Sequence, residues 1–370
     1  MRKSALFWFG LVVMVLMALG LVVLSSAGEA NGVRLHNDPY HFIKYQGVFA
    51  LIGVALATVV ACVDYRNWRD EPWLAWLFFV CVLATLVWAY FSPAVNGSHR
   101  WIRIARLRLQ PSEFAKLVTV ILVSVWMDRA AGHKVEEFWR GAVLPLLIIG
   151  ALAGLIIIEP DFGSVFVVGA VGLLIMFVAG TRLWYIFSAM ALGGAIVAYK
   201  VLTNANRVAR LFDDKKLYQV KMALAAIGNG GVWGVGLGES MQKQFYLPEA
   251  HTDFIFAVGA EELGLWFSVS VIVLFAVFFV LSVHIARNAC DRFGRFLVIG
   301  MAFLVFFQAM FNLGVVCKAM PTKGVALPFF SYGGTNLLSA FFAVGTILSV
   351  GIHSYREQHR VLLRKVLMRR

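Results

Sequence analysis

The sequence predicts an all-α polytopic membrane protein with about ten transmembrane helices, and three observations carry that prediction. Hydrophobic residues make up 61% of the 370-residue chain and charged residues only 14%. A soluble domain is roughly half apolar and a quarter charged, so this chain lacks the polar residues to cover a water-facing surface. Mean hydropathy is +0.80. The apolar residues are also gathered into runs of about 20, the length a helix needs to cross the hydrocarbon core. The same composition excludes disorder, a collagen-like rod and a disulfide scaffold.

The runs lie near 5–25, 46–63, 73–92, 112–128, 142–158, 162–180, 183–202, 254–283, 296–317 and 328–352. The first opens with Met1-Arg2-Lys3 and ends at Ser25-Ser26-Ala27, the outline of a secretory signal. Its apolar stretch is longer than a signal's core, so an uncleaved first span is expected. Only Glu159-Pro160-Asp161 separates the fifth run from the sixth. One continuous helix there would hold two carboxylates at mid-membrane, at roughly 3 kcal/mol each, so an interfacial turn is expected instead. One long loop, 203–254, joins the seventh and eighth runs, and a basic tail, 354–370, follows the last. Residues 1–370 thus read as one membrane domain.

An even number of spans and the basic tail place both termini in the cytoplasm and the long loop outside. The Lys and Arg totals on the two sides are nearly equal. Residues 200–243 and the short outer loop with Arg100, Arg103, Arg106 and Arg108 are basic as well. A net charge of +13 would suggest nucleic acid in a soluble protein. Here loop bias and anionic headgroups account for it, and no nucleic-acid partner is expected. Cys62, Cys81, Cys290 and Cys317 are scattered without a CxxC pair. They read as small apolar residues, neither a zinc site nor a disulfide framework.

Several polar segments interrupt this pattern. The four arginines and His99 form either a basic stretch on headgroups or an outward-facing anion site, since guanidinium groups meet phosphate oxygens at two points. Gln110-Pro111-Ser112-Glu113 opens the fourth span with Pro and Glu where helix starts prefer them. Lys116, three residues on, shares a face with Glu113. The two form either a capping pair or a polar cluster at the mouth of an outer cavity. The run from Gly228 to Gly238 contains no phosphate-binding loop, so its glycines are expected to serve tight turns and close packing. Asp253 stands where the polar loop becomes the eighth span, either as a general base or, with Thr252, as a helix N-cap. Glu261 and Glu262, two turns deeper, read as structural ties, with a proton or ion path as the alternative.

Together these segments resemble the SEDS family of bacterial peptidoglycan glycosyltransferases over essentially the whole chain. The likeness rests on Asn96-Gly97-Ser98, Arg100-Trp101-Ile102, Gln110-Pro111-Ser112-Glu113 with Lys116, and Glu159-Pro160-Asp161-Phe162-Gly163. It continues through Tyr246 to Phe256, Pro321-Thr322-Lys323-Gly324, Leu327-Pro328 and Ser331-Tyr332-Gly333-Gly334. Within the family the chain is more similar to the cell-division branch than to the rod-elongation branch. It departs from the family at Ala105, in a shorter loop from Phe212 to Gln219, and at Cys317 and Lys318.

The resemblance implies polymerisation of lipid II into glycan strands at the outer face of the inner membrane, with release of undecaprenyl pyrophosphate. It places the essential aspartate on Asp253. It places the family's conserved Glu and Lys on Glu113 and Lys116 and its Asp on Asp161; with Arg100, Trp101, Arg207, Glu249, His251, Lys323 and Ser331 these are the expected substrate-binding residues. Its implied partners are lipid II, the nascent glycan strand, a class B penicillin-binding protein acting as transpeptidase, and other division-site membrane proteins. In the expected chemistry Asp253 takes a proton from the 4-hydroxyl of the acceptor sugar, which inverts the donor's anomeric centre. Phosphate is already a good leaving group, so no general acid is needed. Arg100, Lys116 and Lys323 are candidates to hold the developing charge. No built-in cofactor or metal site is expected; a divalent cation, magnesium or manganese, would come bound with the substrate pyrophosphate. Two alternatives compete, a lipid II flippase and a non-enzymatic scaffold. The absence of a two-half repeat of broken helices weighs against the first.

Overall fold

The computed structural model describes residues 3–93, 99–104, 107–130, 132–203, 214–243, 247–321 and 324–367. The chain is nearly all helix. α1 (Lys3–Ala27) leads through the short α2 (Glu29–His36) to α3 (His41–Cys62), the one-turn α4 (Asn67–Asp70) and α5 (Pro72–Phe91). A hairpin of β1 (Ile102–Ile104) and β2 (Leu107–Leu109) precedes α6 (Pro111–Arg129). α7 (Leu144–Ile158) is extended at its start by a π-helical turn, Phe138–Val143, and α8 (Phe162–Ala179) and α9 (Leu183–Leu202) follow. α10 (Asp214–Gly230) lies in the long loop, ahead of α11 (Ile255–Arg287), α12 (Arg292–Val316) and α13 (Gly334–Leu367).

Among the described residues nine helices are long and apolar enough to cross a membrane. α6, at the fourth predicted span, is not among them: its 19 residues are mostly apolar but include Glu113, Lys116, Asp128 and Arg129. Those charges are tolerated because α6 does not face lipid. Nearly all of it from Pro111 to Met127 is buried, and α12 and α13 are the other deeply buried spans. α9 lies at the rim, almost entirely exposed, as a lipid-facing helix can be. Packing in a bilayer relies on close backbone approach. Thus α3 and α13 meet where a β-carbon on Gly345 would lie 2.7 Å from the Ala57 carbonyl oxygen.

Two boundaries differ from expectation. The last apolar run begins at residue 328, but α13 starts only at Gly334. Residues 327–331 instead close a turn, with Ser331 Oγ accepting from the Leu327 amide at 2.7 Å and the Ser331 amide donating back to the Leu327 carbonyl at 3.0 Å. The basic tail is not a separate segment either, because α13 continues through it to Leu367.

α11 is broken at Gly264 (φ 72°, ψ −160°), a conformation only glycine adopts without strain. The carbonyls of Glu261 and Glu262 freed by the break accept from the amides of Val235 and Gly236, both at 3.0 Å. The displaced Leu265 amide donates to Gly231. The glycine run therefore lies directly on the kink. A β-carbon on Gly234 (φ +80°) would fall 2.1 Å from the Glu262 carbonyl oxygen. The side chains below complete the seam. Ser240 Oγ donates to Glu261, while Lys243 bonds Ser26 at 2.9 Å and pairs with Glu262 at 3.4 Å. Glu261 and Glu262 thus tie the long loop to α1 and α11, as the sequence suggested.

Candidate active site

Asp253 occupies the turn just before α11. The backbone around it is fastened from three sides. Ser331 Oγ donates to the Thr252 carbonyl at 2.7 Å. Asn312 Nδ2, on α12, donates both to the Asp253 carbonyl and to that of Val325, each at 2.8 Å. The Tyr332 amide donates to the His251 carbonyl at 3.0 Å. The carboxylate itself is left over: among the described residues it makes no hydrogen bond or ion pair. Helix capping does not use it, because α11 starts at the Phe254 N-cap without a side-chain cap. Thr252 Oγ1 turns back to the Glu249 carboxylate, at 2.9 Å. The N-cap alternative for Thr252 and Asp253 is thereby removed.

Asp253 is only partly exposed. Burial, with the nearby negative charge of Glu249, pushes its pKa up to about 6; Arg100 opposes this and Asp161 adds a smaller rise. At neutral pH such a group is mostly ionised yet basic enough to take a proton. Its far side is closed by Gly324, where a β-carbon would stand 2.8 Å from Asp253 Oδ2. Only a residue without a side chain lets the 324–325 loop come this close.

Two further charges that act on Asp253, Arg100 and Asp161, belong to the segment before the hairpin and the start of α8. In the hairpin Ile102 faces Leu109 and Arg103 faces Arg108. Arg103 and Arg108 are exposed while Ile102 is buried. Thr335 Oγ1, at the start of α13, donates to the Arg108 carbonyl at 3.2 Å and pins the hairpin. Arg100 precedes β1, with Nη1 3.5 Å from Asp161 Oδ1. Asp161 is 2% exposed and heavily engaged. It caps α8 through the Ser164 amide and accepts from Gln110 Nε2, Ser112 Oγ and Ser164 Oγ at 3.1, 3.1 and 2.8 Å. It is a fixed anion that orients Arg100 beside Asp253.

The predicted residues separate into those electrostatically coupled to Asp253 and those that support the backbone and helices around it. Asp253, Arg100 and Glu249 are partly or wholly exposed and electrostatically coupled. Trp101 is partly buried beside them in sequence. His251 packs against Phe42 with the rings tilted and their centroids 4.6 Å apart, and has Asn31 Nδ2 3.3 Å from its Nδ1; burial lowers its pKa. Ser331 is fully buried and spent on the backbone. Glu113 and Lys116 form an internal ion pair at 2.7 Å, with Ser339 of α13 3.4 Å from the second Glu113 oxygen. That pair is buried between α6 and α13, with Glu113 in the first turn of α6. Arg207 and Lys323 lie outside the described residues.

Two residues escaped the sequence reading. Asn312, an uncharged polar residue within an apolar run, is the clamp just described; a polar side chain inside a span was the available signal. Glu159 is 1% exposed, and neither of its carboxylate oxygens has a hydrogen-bond partner among the described residues. In the sequence it marks only a turn.

Residues 6–356 match the model of the FtsW, RodA and SpoVE family, described as "Cell cycle protein". The chain is 38% identical to the "Probable peptidoglycan glycosyltransferase FtsW" of Geobacter metallireducens, over 92% of each chain. It is 35% identical to the protein of the same name from Coxiella burnetii, over 93% of this chain and 95% of the other. Among solved structures it resembles a chain of a peptidoglycan synthase complex studied for the coordination of polymerization and crosslinking. The TM-score there is 0.76 at 24% identity, over 94% of this chain and 98% of the other. The Thermus thermophilus rod shape determining protein RodA gives 0.71 at 24% identity, over 94% and 97%.

Proposed function

The chain belongs to the FtsW/RodA/SpoVE family, and on that premise we propose that it is a peptidoglycan glycosyltransferase in which Asp253 is the catalytic base. The observation that carries the role is the Asp253 carboxylate itself, held by its backbone, raised to a pKa of about 6 and bonded to no other described side chain. The substrate is lipid II. A sugar hydroxyl of the acceptor gives its proton to Asp253 as its oxygen attacks the donor's anomeric carbon. The bond to the diphosphate breaks with inversion, and polyprenyl diphosphate leaves. Arg100, anchored by Asp161, is the described cation best placed to stabilise the departing diphosphate. Lys116 is enclosed in its ion pair with Glu113 and serves the scaffold.

A resident metal does not fit the described donors. No three His, Cys, Asp or Glu side chains converge among the described residues, and Asp161 is committed to its cap. A cation would have to arrive on the diphosphate, and no step depends on it here. The active centre lies on the outer face of a bacterial inner membrane, and the partner is a cross-linking transpeptidase of the class B penicillin-binding type. The septum is the site of action, in keeping with the division-type names of the relatives.

The test is polymerisation of lipid II by the purified chain together with its transpeptidase partner. Asp253→Asn should lower polymer yield at least about a hundredfold while substrate still binds. Polymer at the wild-type level from that variant would remove Asp253 from the base role.

A further inference from the structure

At the end of the bundle opposite Asp253 lies a cavity of about 280 Å³. Arg292 and Arg295, three residues apart on α12, line one wall, with Met127 of α6, Val178 and Ala179 of α8, and Phe296 around them. On the same stretch of α8 Phe177 and Val178 are exposed apolar side chains, as lipid-facing residues are. The neighbouring arginines are already engaged. Arg66 pairs with Asp291 and Glu357, Arg69 with Asp70 and Asp291, and Arg182 with Glu136. Arg129 donates to the Arg69 carbonyl at 3.2 Å. Arg292 and Arg295 are exposed and form no ion pair among the described residues. Of the carboxylates at this end, Asp291 is occupied by Tyr65, Arg66, Arg69 and the Gly294 amide. Asp128 is within electrostatic reach of Arg292.

Two guanidinium groups without an ion pair among the described residues, at the edge of a recess lined otherwise by Met127, Val178, Ala179 and Phe296, are complementary to a molecule with a phosphodiester and hydrocarbon chains. We propose that this cavity is a binding site for one anionic phospholipid of the adjoining leaflet. The phosphate lies between Arg292 and Arg295, and an acyl chain runs along Val178 and Phe296. Free phosphate would satisfy the arginines but leave the apolar wall uncovered.

Native mass spectrometry of the intact chain in neutral detergent tests this. Phosphatidylglycerol is titrated against phosphatidylcholine, with inorganic phosphate as a separate competitor. One phosphatidylglycerol should be retained in preference to phosphatidylcholine, and excess phosphate should not displace it. Arg292→Gln with Arg295→Gln should weaken retention at least about tenfold. The matched pair Arg287→Gln with Arg356→Gln, outside the cavity, should leave it unchanged. Arg292→Lys with Arg295→Lys keeps the charge and should retain part of the binding, which a collapsed fold would not. Equal retention of phosphatidylcholine, displacement by phosphate, or undiminished binding in the double Gln variant would each overturn the proposal.

Discussion

Glu249 and Arg100 act on Asp253 with opposite sign: the first disfavours the ionised carboxylate and the second favours it. Polymerisation should therefore rise with pH through a limb near 6. Arg100→Gln should move that limb upward and Glu249→Gln should move it downward, both read from pH–rate profiles with saturating lipid II. A change in rate without a move of the limb would mean that neither charge is sensed by the base. Glu159 gives a second test. Burial, reinforced by Asp161 and opposed by Arg100, pushes its pKa up to about 8 from 4.5. Between those values the unfolded chain loses the proton while the folded chain keeps it, so stability falls as pH rises and levels off above about 8. Glu159→Gln removes that dependence. Its unfolding free energy should match the wild type near pH 5 and exceed it near pH 8, by an amount approaching several kcal/mol at about 1.4 per pH unit, with a correspondingly higher melting temperature. Parallel curves for the two proteins would show that folding does not raise the Glu159 pKa.

The break in α11 makes a claim about an element. Gly234 combines φ +80° with a β-carbon position 2.1 Å from the Glu262 carbonyl oxygen, so Gly234→Ala must lift the glycine run off the kink. A thermal-melt loss on the order of 1–3 kcal/mol is expected. Gly169→Ala, on α8 with open space around it, serves as the near-neutral comparison. The sequence could not show this kink, because Glu262-Leu263-Gly264-Leu265 reads as continuous helix until the loop that takes its carbonyls is in place. The spans themselves were legible, since hydropathy reports the solvent each helix faces. α13 was misread at its start because Leu327, Phe329 and Phe330 are apolar yet packed in a turn around Ser331. Asp253 was legible as a carboxylate at a polar-to-apolar boundary. Its freedom was not, since that depends on Asn312, 59 residues from Asp253, and on Ser331, 79 residues from the Thr252 it holds. The Glu113–Lys116 pairing followed from helical spacing, whereas its burial depends on α13.

At the scale of the whole molecule, the proposed reaction requires Asp253 to face the outer side of the membrane, and the four native cysteines can report that orientation. Cys62 closes α3 and Cys290 lies between α11 and α12, both at the end of the bundle away from Asp253. Cys317 caps α12 at the other end, five residues beyond the Asn312 that clamps Asp253. Cys81 falls in the middle of α5. All four are exposed, but exposure to hydrocarbon and exposure to water differ chemically, since a maleimide needs a thiolate. Burial raises the pKa of both Cys290 and Cys317, so labelling must be done at alkaline pH to give them equal opportunity. With a membrane-impermeant maleimide on intact cells, Cys317 should be modified and Cys62 and Cys290 protected until the membrane is permeabilised. Cys81 should stay unmodified in both states. Each position is read by mass spectrometry of the purified chain, with Cys317→Ser as the control that abolishes the outside signal. The reverse pattern, with Cys62 and Cys290 labelled first, would put Asp253 on the inner face. Lipid II polymerisation outside could not then be the work of this carboxylate, however well its pKa suited a base.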